Sequence, residues 1–177
     1  MIISQNKRIG IFGGSFDPPH RGHLEISKIA IKKLFLDKIY WCVTKKNPLK
    51  GKTLFSISER IKKSKIITSK VKKIKIKYFE KKIKSTRTIN LIKYLKKKNK
   101  KNIFFLIIGS DNLITLHNWK NWELLLDLTE IVVFSRKDYD KKAKKSVIMK
   151  RVNKIIFIKN KPINISSTQI RKNIYKV

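Results

Sequence analysis

The sequence predicts an α/β fold, with a mainly parallel sheet and helices on both faces. Three observations carry that prediction. Short apolar runs alternate with longer stretches of helical period along the chain. The run from Asn102 to Ile108 is almost continuously apolar, as a strand covered on both faces must be. The glycine-rich loops directly follow strand-like runs, which is where parallel sheets bind ligands.

Each element has its own justification. Ile9 to Gly13 reads as the first strand, and Gly22 to Leu36 as a helix with Leu24, Ile26, Ile29, Ala30, Leu34 and Phe35 close to helical period. Lys38 to Thr44 is a second strand. Its Cys42, within Tyr40-Trp41-Cys42-Val43, suits a buried small hydrophobe better than a nucleophile. Ser56 to Ser69 is a helix whose Ser56 and Glu59 have capping-box spacing. Lys73 to Phe79 alternates through Ile74, Ile76 and Tyr78 as a half-buried strand, and Thr88 to Lys98 is helical through Ile89, Ile92 and Leu95. After the central strand, Leu113 to Leu126 holds one or two short helices and Glu130 to Phe134 a strand. Residues 137–151 are charged, and the pattern is weakest there. Ile155 to Ile158 is a last strand, and Ser166 to Tyr175 a terminal helix. No linker or repeat interrupts the series, so residues 1–177 are expected to form one domain of Rossmann-like, three-layer build.

Composition bounds the function. Hydrophobic residues make up 41% of 177, enough for a packed core. No apolar run approaches the ~18 to 20 residues of a membrane span, and the N-terminus lacks a signal peptide's apolar centre. A single cysteine excludes an intrachain disulfide and a multi-cysteine zinc site. A cytoplasmic protein without a membrane partner is expected. The net charge of +34 invites a nucleic-acid reading. Against it, lysine far outnumbers arginine, and the lysines run along the whole chain. That pattern fits the coding bias of an AT-rich genome better than a binding face. Nucleic acid is therefore not the expected partner, although the charge would concentrate anionic substrates.

Three constellations carry chemistry. The first is Gly13-Gly14-Ser15-Phe16-Asp17-Pro18-Pro19-His20-Arg21-Gly22-His23. Glycines after a strand let backbone N–H groups approach a phosphate, and the prolines fix the turn before a helix. His20 and His23, three apart on a first turn, share a face and could both donate to phosphate oxygens at a helix N-terminus. The competing reading is a pair of capping or surface histidines. The loop is neither G-x-G-x-x-G nor a Walker A sequence. The second constellation is Ile165-Ser166-Ser167-Thr168-Gln169-Ile170-Arg171. Three hydroxyls are more than capping needs, and Arg171 shares the face of Ser167 and Thr168, which suits a pyrophosphate grip. The third is Gly109-Ser110-Asp111-Asn112-Leu113. There Asp111 either accepts a ribose hydroxyl or caps the next helix. Trp119 and Trp122, three apart, are expected on one helical face, with core packing or stacking on a cationic ring as the alternatives. Lys50 and Arg136, each just after a strand, are lesser candidates. No Asp/Glu/His cluster makes a metal cage, so any Mg²⁺ is expected on substrate phosphates and water.

Together these motifs resemble the nucleotidyltransferase superfamily with the His-x-Gly-His signature, and within it the bacterial nicotinate-nucleotide adenylyltransferases. The matches span residues 9–171 in the family's order. The resemblance implies adenylyl transfer from ATP to nicotinate mononucleotide, giving deamido-NAD and pyrophosphate in NAD biosynthesis. It implies catalytic roles for His20, His23 and Arg171. An ATP site would draw on Gly13, Gly14, Ser15, Phe16, His20 and His23, on Gly109, Asp111 and Arg136, and on Ile165, Ser167, Thr168 and Arg171. A mononucleotide site would draw on Gly14, Ser15, Lys50, Thr88, Asn112, Leu113 and Trp119, with Trp119 stacked on the nicotinate ring. Two alternatives stand beside this reading. One is phosphopantetheine adenylyltransferase of the same superfamily; the other is a basic nucleic-acid-binding protein. A homo-oligomer is left open.

Overall fold

The computed structural model describes residues 6–45, 53–151, 155–160 and 165–174. Its centre is a six-stranded sheet of order β3-β2-β1-β4-β5-β6, with every neighbouring pair parallel. The strands are β1 (Arg8–Gly14), β2 (Lys38–Val43), β3 (Ile74–Lys77), β4 (Ile103–Gly109), β5 (Glu130–Phe134) and β6 (Ile155–Ile158). The order reverses between β1 and β4, so their carboxyl ends open a crevice at a switch point.

Alternate side chains of the same strands fill two cores. On one face, α1 (Arg21–Lys33) and α2 (Ile57–Thr68) cover Phe12, Trp41, Val43, Phe105, Ile107, Val132 and Phe134. On the other, α4 (Thr88–Lys98), α5 (Ser110–Thr115), α6 (Trp122–Leu128), α7 (Asp140–Lys144) and α8 (Val147–Arg151) cover Ile9, Ile11, Phe104, Leu106, Ile131 and Val133. The expected three layers are present. Gly10 lies between Leu36, Ile39 and Ile107, where a methyl group would meet carbon atoms at 2.9 to 3.1 Å. Cys42 is buried, and burial pushes its thiol pKa up, as suits a packing residue.

Most predicted elements fall within two residues of their places. α2 has the predicted box: Ser56 Oγ accepts from the Glu59 N–H, and Glu59 accepts from the Ser56 N–H. One short helix, α3 (Glu80–Ile83), was not predicted. The weakly patterned stretch 137–151 holds α7 and α8. The tryptophan pair departs from expectation. Trp119 has extended backbone after a 3-10 turn at Leu116–Asn118, Asn121 is left-handed at φ 54°, and Trp122 opens α6. The two rings share no helix, because Asn121 breaks the chain between them, yet both pack against the same core. The described part of the terminal helix is α9 (Ser167–Ile174).

Candidate active site

The loop after β1 is built around an aromatic stack. Phe16 takes the left-handed backbone (φ 48°), while no described glycine has positive φ. Its ring lies flat on Trp41, 4.7 Å away with a 4° interplanar angle, and meets His23 edge-on at 4.9 Å. Trp41 Nε1 donates to Ser27 Oγ at 2.7 Å, and Ser27 Oγ donates to the His23 carbonyl at 2.9 Å. Phe16 is thus a buried anchor of the loop, 1% exposed. A methyl group on Gly13 would meet nothing within 4 Å, so that strand end is open to an approaching ligand.

The two histidines cap one another's backbone. His20 is the N-cap of α1, and its Nδ1 accepts the Gly22 N–H at 3.1 Å. The His20 N–H in turn donates to His23 Nδ1 at 3.2 Å. The rings lie 3.8 Å apart. With both Nδ1 atoms accepting, each neutral ring carries its proton on Nε2. Capping and phosphate donation are therefore compatible roles, because one nitrogen of each ring serves the backbone and fixes the direction of the other.

α9 docks onto this loop by polar contacts. Ser167 Oγ donates to the Pro18 carbonyl at 2.9 Å. Arg171 Nη1 donates to the Asp17 carbonyl at 2.6 Å and lies 3.6 Å from Asp17 Oδ2. Arg171 Nη2 donates to Thr168 Oγ1 at 3.3 Å. Ser166 Oγ accepts from the Gln169 N–H, so each of the three hydroxyls has its own task. Asp17 is 2% exposed and also accepts from the N–H groups of Leu54 and Phe55, both at 2.9 Å. The two predicted phosphate elements, 149 residues apart in sequence, form one wall.

A third corner forms after β4. Asp111 pairs with Arg136 from the loop after β5, and α5 has no side-chain cap. Of the two roles left open for Asp111, capping is therefore excluded. Its Oδ1 is buried and has no hydrogen-bond partner. The Arg136 N–H donates to Ser110 Oγ and Asp140 Oδ1, both at 3.0 Å. Burial would raise the Asp140 pKa, but hydrogen bonds from Ser110 and the Arg136 N–H hold it below its ordinary value.

The profile of the Cytidylyltransferase-like family matches residues 11–173. A Pelagibacter ubique (strain HTCC1062) protein named "Probable nicotinate-nucleotide adenylyltransferase" is 47% identical over 173 residues, 96% of each chain. The chain belongs to this family of adenylyltransferases. A Rhizobium leguminosarum bv. trifolii relative of the same name is 38% identical over 72% of this chain and 67% of its own. The Plasmodium falciparum nicotinic acid mononucleotide adenylyltransferase complexed with APC shares the fold. Its TM-score is 0.77 at 23% identity, over 94% of this chain and 83% of that one.

For a nicotinate-nucleotide adenylyltransferase, not every expected residue falls into these contacts. Thr88 is the first residue of α4, beside a cavity of about 640 Å³ lined by Lys45, Tyr78, Glu80, Lys84, Arg87 and Asn90. Leu113, a residue of α5, is fully buried in the core. Asn112 and Trp119 are half-buried, and Ile165 is exposed. Lys50 lies outside the described residues. Two residues were not anticipated. Asp17 joins the loop, α9 and the approach to α2. Arg60, 1% exposed on α2, donates to carbonyls of three segments. A cluster of carbonyls around one arginine leaves no local pattern, so sequence offered no signal for it. Glu80 accepts the Lys45 N–H at 2.8 Å, and burial raises its pKa.

Proposed function

We propose that the loop after β1, the first turn of α1, α9 and the Asp111–Arg136 corner form the site of adenylyl transfer. As a nicotinate-nucleotide adenylyltransferase, the chain transfers the adenylyl group of ATP to nicotinate mononucleotide. The products are deamido-NAD and pyrophosphate, in a step of NAD biosynthesis. The mononucleotide phosphate attacks the α-phosphorus in line, the bond to the bridging oxygen breaks, and pyrophosphate leaves. No protein nucleophile is needed, so catalysis is positioning and stabilisation of charge.

The observation that carries the assignment of roles is the mutual cap of His20 and His23. It fixes the direction of both rings at the start of α1, so that they face the strand-end loop in a set orientation, as stabilisation of phosphoryl charge requires. Arg171 is held at Asp17 and keeps guanidinium donors for the leaving pyrophosphate. Asp111, with its unpartnered Oδ1, accepts a ribose hydroxyl, and Gly109 leaves the room that its carboxylate occupies. Gly14, Ser15, Thr88, Asn112 and Trp119 serve the mononucleotide.

Among the described residues, no group of three His, Cys, Asp or Glu side chains converges to hold a metal ion. The one carboxylate in the loop, Asp17, is taken up by backbone N–H groups and Arg171. The donor set fits Mg²⁺ that would arrive on the ATP phosphates and would there supply neutralisation of phosphoryl charge. Among the described residues, no helix is long and apolar enough to cross a membrane. We place the reaction in the cytoplasm, with the +34 charge drawing in its anionic substrates. The test is pyrophosphate release from ATP and nicotinate mononucleotide by the purified chain. Turnover that survives His23→Ala unchanged would refute the assigned roles.

A further inference from the structure

We propose that Arg60 is a positioning residue that holds the substrate-bearing loop after β1, at Ser15, in fixed spacing to the end of β2 and the start of α2. The inference rests on the adenylyl-transfer reading above.

The sheet itself explains why such a residue is needed. β1 and β2 pair in register up to Gly14 and Val43, and the Thr44 N–H donates to the Gly14 carbonyl at 3.0 Å. Beyond that bond the β1–β2 ladder ends. Arg60 bridges the two segments there. Its Nη1 donates to the Ser15 carbonyl at 2.6 Å and to the Thr44 carbonyl at 2.7 Å. Its Nη2 donates to the Lys45 carbonyl at 3.1 Å. Its Nε donates to the carbonyls of Phe55 at 3.0 Å and Ser56 at 3.3 Å, tying the fork to the start of α2. One planar group thus continues the β1–β2 ladder past its last backbone bond. Every acceptor is a main-chain carbonyl, so the contacts fix backbone and not side-chain positions.

A lysine cannot reproduce this. Its ammonium is a point donor, whereas the guanidinium reaches in three directions in one plane. The grip on ATP has a different origin. The His20–His23 cap is local to α1, and α9 docks on Asp17 and Pro18. Losing Arg60 should therefore spare ATP binding and disturb the placing of one substrate against the other. A misplacement of about 1 Å costs on the order of 10²-fold in rate.

The experiment uses the full chain as wild type, Arg60→Lys, Arg60→Ala and Arg60→Leu. Calorimetry reads ATP binding without the mononucleotide, pyrophosphate release reads kcat, and melting reads the fold. The expected result is a fall in kcat of about 100-fold in Arg60→Lys, with ATP affinity within about threefold of wild type. Guanidinium ion, added below its denaturing range, should restore kcat at least about tenfold in Arg60→Ala and not in Arg60→Leu, where the side chain fills the space. Wild-type kcat in Arg60→Lys would overturn the proposal. So would ATP affinity lost in step with kcat, or a guanidinium-restored melting transition in Arg60→Ala without restored turnover. An inactive wild type that still binds ATP would instead refute the choice of second substrate, and is distinguished by that control.

Discussion

The His20 backbone N–H donates to Nδ1 of His23 at 3.2 Å, so the orientation of one histidine ring is set by the backbone of the other. His23→Ala removes half of a helix cap and, on the proposed roles, a donor to phosphate. A fall in kcat of about 10²-fold or more is expected. The cap costs only about 1 kcal/mol, or about 2 to 4 °C of melting temperature for a chain of this size. Steady-state kinetics beside a melting curve separates the two effects. A large melting shift with modest kinetic loss would make the histidine structural.

α9 buries no residue, so its docking depends on Ser167 and Arg171. Ser167→Ala should loosen it by about 1 kcal/mol. Limited proteolysis near residues 165–174 should then speed up about fivefold, and ATP should suppress that cleavage. Arg171→Ala should in addition raise KM for ATP about tenfold or more, since the charged donor proposed for the pyrophosphate is lost.

Gly109→Ala is expected to act through Asp111 and not through backbone strain. Gly109 has extended backbone (φ −85°, ψ 160°), but its added methyl would overlap Asp111 Oδ1. Moving that carboxylate breaks its pair with Arg136. KM for ATP should rise severalfold. In an Asp111→Ala background the same substitution should cost little more, and a double-mutant cycle reads the difference.

Two carboxylates should shape acid stability in opposite senses. The hydrogen-bonded Asp140 has a lowered pKa. Its contribution is present above the unfolded value of about 3.9 and is lost as pH falls through the folded one. Glu80 has a pKa raised by burial, so its charged form is penalised in the fold. That penalty is relieved as pH falls through its folded value. Melting curves between about pH 3 and 7 should therefore show a weaker acid loss for Asp140→Asn and a stronger one for Glu80→Gln.

The parts of this architecture visible in sequence were those with a period or a dense local signature. Alternating strands and helices of ten or more residues announced the layers, and Gly13 to His23 and Ser166 to Arg171 stood out as the dense motifs that the structure brings into contact. Five-residue helices such as α7 and α8 are too short to show a period. Trp119 and Trp122 looked helical because spacing cannot reveal the left-handed Asn121 between them. Phe16 read as part of a phosphate loop, whereas its ring is the loop's buried anchor on Trp41. Arg60 was invisible because it is one of 45 basic residues, and only burial distinguishes it.

The central claim is tested most directly by pyrophosphate release from ATP and Mg²⁺ with each acceptor in turn. Nicotinate mononucleotide should support turnover and phosphopantetheine should not, and His23→Ala should abolish most of it. Release with phosphopantetheine, and none with nicotinate mononucleotide, would contradict the account.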